Sequence, residues 1–430
     1  MKNSINRKIA VISLGCDKNR VDTENMLWYL SKSDFTVTND FAEADIIIVN
    51  TCAFIESARV EAIDTLLDMA QYKKIGKCKT LVATGCLPQK YLSELKADLP
   101  EVDIFLGIDE YARLPELLQG VVANEKEVGR VLTTPPHYAY LKIADGCDNH
   151  CTFCTIPSIR GRYRSKPLEQ LKKEAYDLST KGVRELILVA QDVTSYGKDL
   201  YGKPSLIRLI KELSTLDFKW IRLMYCYPEL VTDELIDEIV SNPKVVKYLD
   251  IPMQHVADPV LKRMNRRNDG ESLRVLCKKL KKAGIAIRTT FMVGFPGETE
   301  EDFMELTQFL KDNPMRNVGV FAYSKEMDTP SAKLKGHLTK SIKRMRVEAL
   351  GKINLEQVLL DNSKAVGSVV EVVYEDIDYD RNLFIGRTQY DAPDIDRLVY
   401  FSADFVEVGE FYKVRIVDYD GYDLIGELIK

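Results

Sequence analysis

No stretch of this 430-residue sequence is long and apolar enough for a membrane helix; the apolar runs, such as Ile46 to Val49, have the length of single strands. No secretory leader is expected either. The start MKNSINRK is basic, but the IAVISLGC that follows is too short and too strand-like, and it offers no convincing cleavage site. Positive charge is not in excess: 60 Lys and Arg stand against 65 Asp and Glu, a net of −5, so nothing global draws the chain to nucleic acid or to a membrane. Low-complexity tracts and short-period repeats are absent as well. A globular chain in the cytoplasm is expected, 45% hydrophobic and 29% charged. Its nine cysteines are an odd number in a chain expected to carry no leader. In a reducing compartment such thiols serve as ligands or lie buried, and spacing has to decide which.

The length points to two to four domains. Residues 1–136 alternate apolar strands (IAVISLG, DIIIVN, TLVATG) with helical patterns, which reads as an open parallel α/β sheet. TTPPHY then breaks the periodicity as a linker. Residues 137–364 carry six recurring strands (YLKIAD, ELILVAQ, WIRLMY, YLDIPM, AIRTTFMVGF, NVGVFAYS) with helical patterns between most of them, as in a complete or partial (β/α) barrel, closed by a long Lys- and Arg-rich helical run. Residues 365–430 change to short β-branched and aromatic strands with Gly and Asp turns. Such a segment predicts a small antiparallel β-barrel of the oligonucleotide-binding type.

Just after the first strand of the barrel-like region the chain reads DGCDNHCTFCTIP. Cys147, Cys151 and Cys154 thus form a C-x3-C-x2-C loop at the strand end where barrel enzymes place their chemistry. Soft thiolates suit iron–sulfur clusters and zinc. A closed zinc site needs a fourth ligand, and His150 or a distant residue is the rival reading. Three thiolates on a four-iron cluster leave one iron open to chelate a small molecule.

This spacing, with the aromatic Phe153 before the last cysteine, resembles the radical SAM superfamily. The resemblance implies a 4Fe-4S cluster whose open iron binds the amino and carboxylate groups of S-adenosylmethionine (SAM), which is then split to a 5′-deoxyadenosyl radical. It also implies a place for Phe153 near the adenine and for Ala190, Gln191 and Asp192 near the methionine part. The turn Gly294, Phe295, Pro296, Gly297, Glu298 would flank the ribose. For Gly294 and Gly297 a plain strand-to-helix turn is the equal alternative.

A second set of cysteines repeats one placement. Cys16 ends IAVISLGC, Cys52 ends IIIVNTC, and Cys86 ends TLVATGC. The C-terminal ends of parallel strands share one edge, where open α/β sheets bind ligands. Gly15 and Gly85 would permit close approach there. Cys78, Cys226 and Cys277 lack the placement and are assigned to packing. The whole arrangement resembles the methylthiotransferase family, whose members join a three-cysteine domain, a radical SAM domain and a C-terminal TRAM domain. That resemblance implies an auxiliary 4Fe-4S cluster on Cys16, Cys52 and Cys86, and two SAM molecules in two roles, methyl donor and radical source.

The wordings SLGCDKNRVDTE, NTCAFIESA, LVAQDVTSYG, IPSIRGRYRSKP and YLDIPMQH resemble the branch that modifies the β-carbon of an aspartate in small-subunit ribosomal protein twelve. The branch acting on transfer-RNA adenosine, with the same chemistry, is the closest rival; its typical wording around the first cysteine is Y-G-C-Q-M-N, where this chain reads SLGCDKNR. Charge agrees. From Val366 to Lys430 there are 15 acidic and 6 basic residues, a net of −9, which repels RNA and attracts a basic protein. The bland alternative is that the acids keep a small domain soluble. The run Arg160, Arg162, Arg164, Lys166 reads either as a solvated face or as counter-charge to the site. No general base is needed, so Asp145, Asp192 and His255 are read as groups that support ligands rather than react. An electron donor such as flavodoxin or ferredoxin, a sulfur donor and a monomeric enzyme complete the expectation. A non-catalytic iron–sulfur or zinc scaffold for ribosome assembly is the rival from another class.

Overall fold

The computed structural model describes residues 7–33, 35–119 and 129–429. They form two compact units. The first comprises Met1–Thr133, Asp145–Asp148 and Cys154–Tyr163; the second comprises Thr134–Ala144, Asn149–Phe153 and Arg164–Lys430.

The first unit is built on a five-stranded parallel sheet of β1 (Arg7–Ser13), β2 (Phe35–Val37), β3 (Ile46–Thr51), β4 (Thr80–Gly85) and β5 (Ile104–Leu106), in the order β2-β1-β3-β4-β5. The β-branched run IIIVNT makes β3 the central strand, buried along its whole length, as expected where helices cover both faces. Three helices follow the strand ends: α1 (Asp17–Ser31), α2 (Glu56–Ala70) and α3 (Cys86–Asp98). A short helix, α4 (Ile156–Arg160), lies just beyond the C-x3-C-x2-C loop. It belongs to this unit because Ile159 is buried in the same core as Ile48, Val82 and Leu87.

The second unit holds six parallel strands in sequential order: β6 (Tyr138–Lys142), β7 (Glu185–Val189), β8 (Trp220–Leu223), β9 (Val245–Asp250), β10 (Ala286–Val293) and β11 (Asn317–Ala322). The sheet is open, with β6 and β11 at its edges, so the barrel is partial. A 26-residue helix, α5 (Lys340–Ala365), packs beside β11. The last strands, β12 (Val369–Asp378), β13 (Leu383–Arg387), β14 (Val399–Ser402), β15 (Phe411–Asp420) and β16 (Asp423–Leu428), close a barrel in the order β12-β13-β14-β16-β15. Four of its pairings are antiparallel, as the sequence predicts, while β14 and β16 pair in parallel.

This barrel is fixed to the N-terminal edge of the six-stranded sheet by buried charge. Glu185, first in β7, receives Arg222 Nε at 2.6 Å and Arg387 Nη2 at 2.7 Å. Arg387 also holds Glu375, which in turn meets His137 Nε2 at 2.7 Å. Asp396 takes Tyr248 Oη and Arg288, and Asp391 takes Arg316. Three of the acids counted in the C-terminal segment therefore neutralise arginines at the junction instead of facing solvent. The exposed acids, among them Glu371, Asp376, Asp380, Asp404, Glu407, Glu410, Asp418 and Glu427, keep the barrel's outer surface negative.

Candidate functional site

In the first unit, each of the three strand-end cysteines lies where a strand hands over to a helix. Cys16 precedes α1, Cys52 lies in the turn before α2, and Cys86 opens α3. Cys16 is exposed, Cys52 half-buried and Cys86 buried. Both glycines beforehand have left-handed backbone, at φ +86° for Gly15 and +94° for Gly85. A Cβ on Gly15 would stand 2.8 Å from Cys52 Cβ and 3.1 Å from Cys52 Sγ; on Gly85 it would stand 2.2 Å from Asn50 Oδ1. Only glycine lets these strand ends approach so closely.

Polar side chains from α1 knit the edge together. Asn19 Nδ2 donates to the carbonyls of Leu14 (3.0 Å) and Thr51 (3.1 Å), just ahead of Cys16 and Cys52. Asn50 Nδ2 donates to the Asn19 carbonyl and to Thr23 Oγ1. Thr51 Oγ1 donates to the Thr84 carbonyl and accepts from the Leu87 N–H. Lys18, Asn19, Asp22, Thr23 and Glu24 are all buried, an unusual polar load for one helix face. Burial pushes the Cys86 thiol up to about 12, with Arg160 pulling the other way and the Cys16 and Cys52 thiols adding to the rise. Cys52 is raised by burial as well. Among the described residues no three His, Cys, Asp or Glu side chains converge on one ion position.

The basic run after the C-x3-C-x2-C loop divides into two fates. Arg160 is buried, and its guanidinium meets Asp145, Asp22, Asn19 and Cys86 Sγ. Arg162 lies at the surface against Asp148 (2.7 Å). Of the loop itself, Cys147 and Cys154 belong to this unit. The Cys147 N–H donates to the Gly161 carbonyl (3.2 Å), and Cys154 Sγ accepts from the Ile156 N–H (3.4 Å).

In the second unit, the middle of that loop, Asn149–Phe153, sits at the C-terminal edge of the sheet. Asn149 Nδ2 donates to Asp192 Oδ2 (3.0 Å), and the Thr152 N–H donates to the Met264 carbonyl (3.0 Å). Asp192 also caps the turn after β7, accepting from Thr194 and Ser195 hydroxyls, so it holds the loop in place. Cys151 Sγ is buried beside Tyr227 Oη (2.7 Å) and Arg266 Nη1 (3.7 Å), with the Arg266 cation 4.1 Å above the Tyr227 ring. Among the described residues at this edge, His150, Tyr225, Gln254 and Asn265 have left-handed backbone without being glycine. Such strain concentrates at functional sites.

The remaining sequence candidates fall on the same edge with more structural duties than foreseen. Phe153 packs edge-on against Phe295 (6.3 Å) within an apolar cluster with Met264 and Tyr323. Gly294 (φ +74°) and Gly297 (φ +77°) form a strand-to-helix turn. A Cβ on Gly294 would press into Lys343, and the Gly297 carbonyl accepts from Arg263. Gln191 stands between Ala190, just beyond β7, and the Asp192 cap. His255 is buried, and burial depresses it to about 3, so it is neutral; its Nδ1 accepts from the Ala257 N–H (3.0 Å), which leaves the proton on Nε2. Cys78, Cys226 and Cys277 are buried, as assigned to packing. Sequence reading missed Asn19, Asp22, Tyr227 and Arg266. Asn19 alone had a local signal, one helical turn after Cys16.

Three family models match in series: "Uncharacterized protein family UPF0004" at residues 8–107, "Radical SAM superfamily" at 141–310 and "TRAM domain" at 366–429. This order defines the class, a radical SAM enzyme carrying an extra N-terminal domain and a TRAM barrel, and family and fold together imply SAM and 4Fe-4S chemistry. A curated relative from Clostridium botulinum, "Ribosomal protein uS12 methylthiotransferase RimO", is 48% identical, with 97% of each chain covered. A protein of that name from Geotalea uraniireducens is 46% identical over 100% of both. The chain belongs to the RimO family of radical SAM methylthiotransferases. Among solved structures, the radical SAM methyltransferase TsrM from Kitasatospora setae, with cobalamin and a [4Fe-4S] cluster, covers 76% of this chain and 77% of its own (TM-score 0.51, 13% identity). OxsB, a cobalamin-dependent SAM radical enzyme, covers 81% and 56% (TM-score 0.52, 13% identity). Both likenesses are of fold alone.

Proposed function

We propose that this chain methylthiolates the β-carbon of one aspartate of ribosomal protein uS12. One 4Fe-4S cluster would be held by Cys147, Cys151 and Cys154, and an auxiliary one by Cys16, Cys52 and Cys86. The observation that carries the reading is the likeness to uS12 methylthiotransferases over the full length of both chains. The donor sets fit. Each is a set of three cysteines, soft donors of the kind that would hold a four-iron cluster, and the left-handed Gly15 and Gly85 clear the space beside Cys52 and Asn50 that any other residue would fill.

When bound, SAM and the clusters would supply the methyl group and the radical. The chain's own residues position and shield. Asp192, through Asn149, fixes the loop bearing Cys151. Arg266 directs an N–H at Cys151 Sγ, and the Tyr227 hydroxyl, hydrogen-bonded to the same sulfur, would donate to it once it is a cluster thiolate. Gln191, Asp192, Phe153, Gly294 and Gly297 would line the place of SAM. His255, depressed to about 3 by burial and with Nδ1 already accepting from the Ala257 N–H, is too weak a base to serve as one, and hydrogen removal by a radical needs none. Flavodoxin or ferredoxin would supply electrons to the enzyme, a cytoplasmic monomer, and a separate donor would supply sulfur. Among the described residues no helix is long and apolar enough to cross a membrane.

The acidic barrel supports a basic protein substrate over transfer RNA. It sits at the sheet edge opposite Cys151, so a substrate touching both spans a strand length, roughly 17–20 Å. The test is mass spectrometry of uS12 from cells with and without the gene. A methylthio gain on one aspartate, lost in the deletion, is the expected result; unmodified uS12 in both would overturn it. In vitro, Cys151→Ala should abolish SAM cleavage, while Cys52→Ala should keep cleavage and lose sulfur insertion.

A further inference from the structure

Arg160 touches both a candidate cluster thiol, Cys86 Sγ, and Asp145, just ahead of the other cysteine loop. It is 4% exposed. Its Nη1 donates to both oxygens of Asp145 (3.1 and 2.8 Å), two residues before Cys147. Its Nη2 reaches Asn19 Oδ1 (2.6 Å), Asp22 Oδ2 (3.1 Å) and Cys86 Sγ (3.6 Å). Asn19 Oδ1 itself lies 3.6 Å from Cys86 Sγ, and the Asn19 amide holds the backbone ahead of Cys16 and Cys52. One guanidinium is thus oriented by two carboxylates and an amide so that an N–H faces sulfur.

We infer that Arg160 is a positioning residue for the auxiliary cluster: its N–H···S contact to Cys86 and its buried positive charge set the cluster's reduction potential and its retention. The inference rests on Cys16, Cys52 and Cys86 holding a cluster. The physics is charge balance. Asp22 and Asp145 already outnumber Arg160 in a buried site, and thiolates add more negative charge. Reduction adds one further electron, which a nearby cation stabilises. Hydrogen bonds to cluster sulfurs and local charge are the protein's main controls on such potentials. Arginine suits the task because its fork can bond two carboxylates and a sulfur together, while lysine offers charge without the fork.

The test uses the full chain with Cys147, Cys151 and Cys154 all changed to Ala, so that only the strand-end cysteines can hold a cluster. Iron and sulfide per chain and the midpoint potential by electron paramagnetic resonance titration are compared for this parent, Arg160→Met, Arg160→Lys and Arg162→Met. Arg160→Met should shift the potential to more negative values. Arg160→Lys should recover most of the shift, and Arg162→Met should not move it. A parent that binds no iron would sink the cluster assignment itself. A parent with a cluster whose potential Arg160→Met leaves unchanged would sink the role of Arg160 alone. Should Arg160→Met bind no cluster, melting of the iron-free chains decides. An unchanged Tm supports a role at the cluster; a lowered Tm for both Arg160 variants reduces Arg160 to a structural residue and overturns the inference.

Discussion

Arg387 of the C-terminal barrel and Glu185 at the foot of β7 meet at 2.7 Å, both buried from solvent. The pair is the centre of a chain of charges, Arg222–Glu185–Arg387–Glu375–His137. The barrel is therefore locked to the six-stranded sheet rather than tethered to it. Removing one member of a buried ion pair leaves an uncompensated charge, at a cost of about 3–5 kcal/mol. Arg387→Met should lower stability by that order in urea denaturation, and the barrel should become protease-sensitive before the sheet does.

The same chain gives a pH dependence. Burial raises the Glu375 carboxyl, but Arg387 and His137 outweigh it and hold it at about 2, against 4.5 for a free glutamate. A depressed carboxylate stabilises fully above 4.5, and that contribution fades as pH falls towards 2. Glu375→Gln should cost about 3 kcal/mol at pH 7. Its deficit relative to the parent should shrink below pH 4.5 and be nearly gone at pH 2. A deficit that stays constant over that range would show that shape, not charge, is at stake.

Gly85 tests the strand-end architecture. An alanine there meets Asn50 Oδ1 at 2.2 Å and the Thr51 carbonyl at 2.7 Å, on a backbone at φ +94°. Backbone strain alone costs about 1–2 kcal/mol. Gly85→Ala should lower Tm and reduce iron retention by the strand-end cysteines. Gly182→Ala, where a Cβ meets nothing, serves as the control for backbone strain without crowding, and should leave iron content unchanged.

Tyr227 tests the other loop. Its hydroxyl lies 2.7 Å from Cys151 Sγ, under the Arg266 cation. Tyr227→Phe removes the O–H and keeps the ring, so the fold and the cation–π contact persist. The expected outcome is a more negative potential for the cluster on Cys147, Cys151 and Cys154 and slower SAM cleavage, read by spectroelectrochemistry and by 5′-deoxyadenosine formation.

The parallel sheets, the small C-terminal barrel and the placement of Cys16, Cys52 and Cys86 at strand ends were legible in the sequence because each is a local pattern. β-branched runs ending in Gly-Cys mark strands that stop at one edge, and three cysteines within eight residues mark a loop. The switch to β-branched strands after Ala365 marks the barrel. What the sequence could not decide was the partner of each charge. Arg160 and Arg162 stand two residues apart in one basic run, yet one is buried against Asp22, Asp145 and Cys86 while the other faces water. Glu375, Asp391 and Asp396 count as acid in the sequence, yet each is paired with an arginine at the junction: Arg387 of the barrel itself, and Arg316 and Arg288 from the sheet side. Periodicity fixes which residues share a face of one element. Burial and pairing between residues more than 100 positions apart depend on how elements pack, and only the tertiary structure settles that.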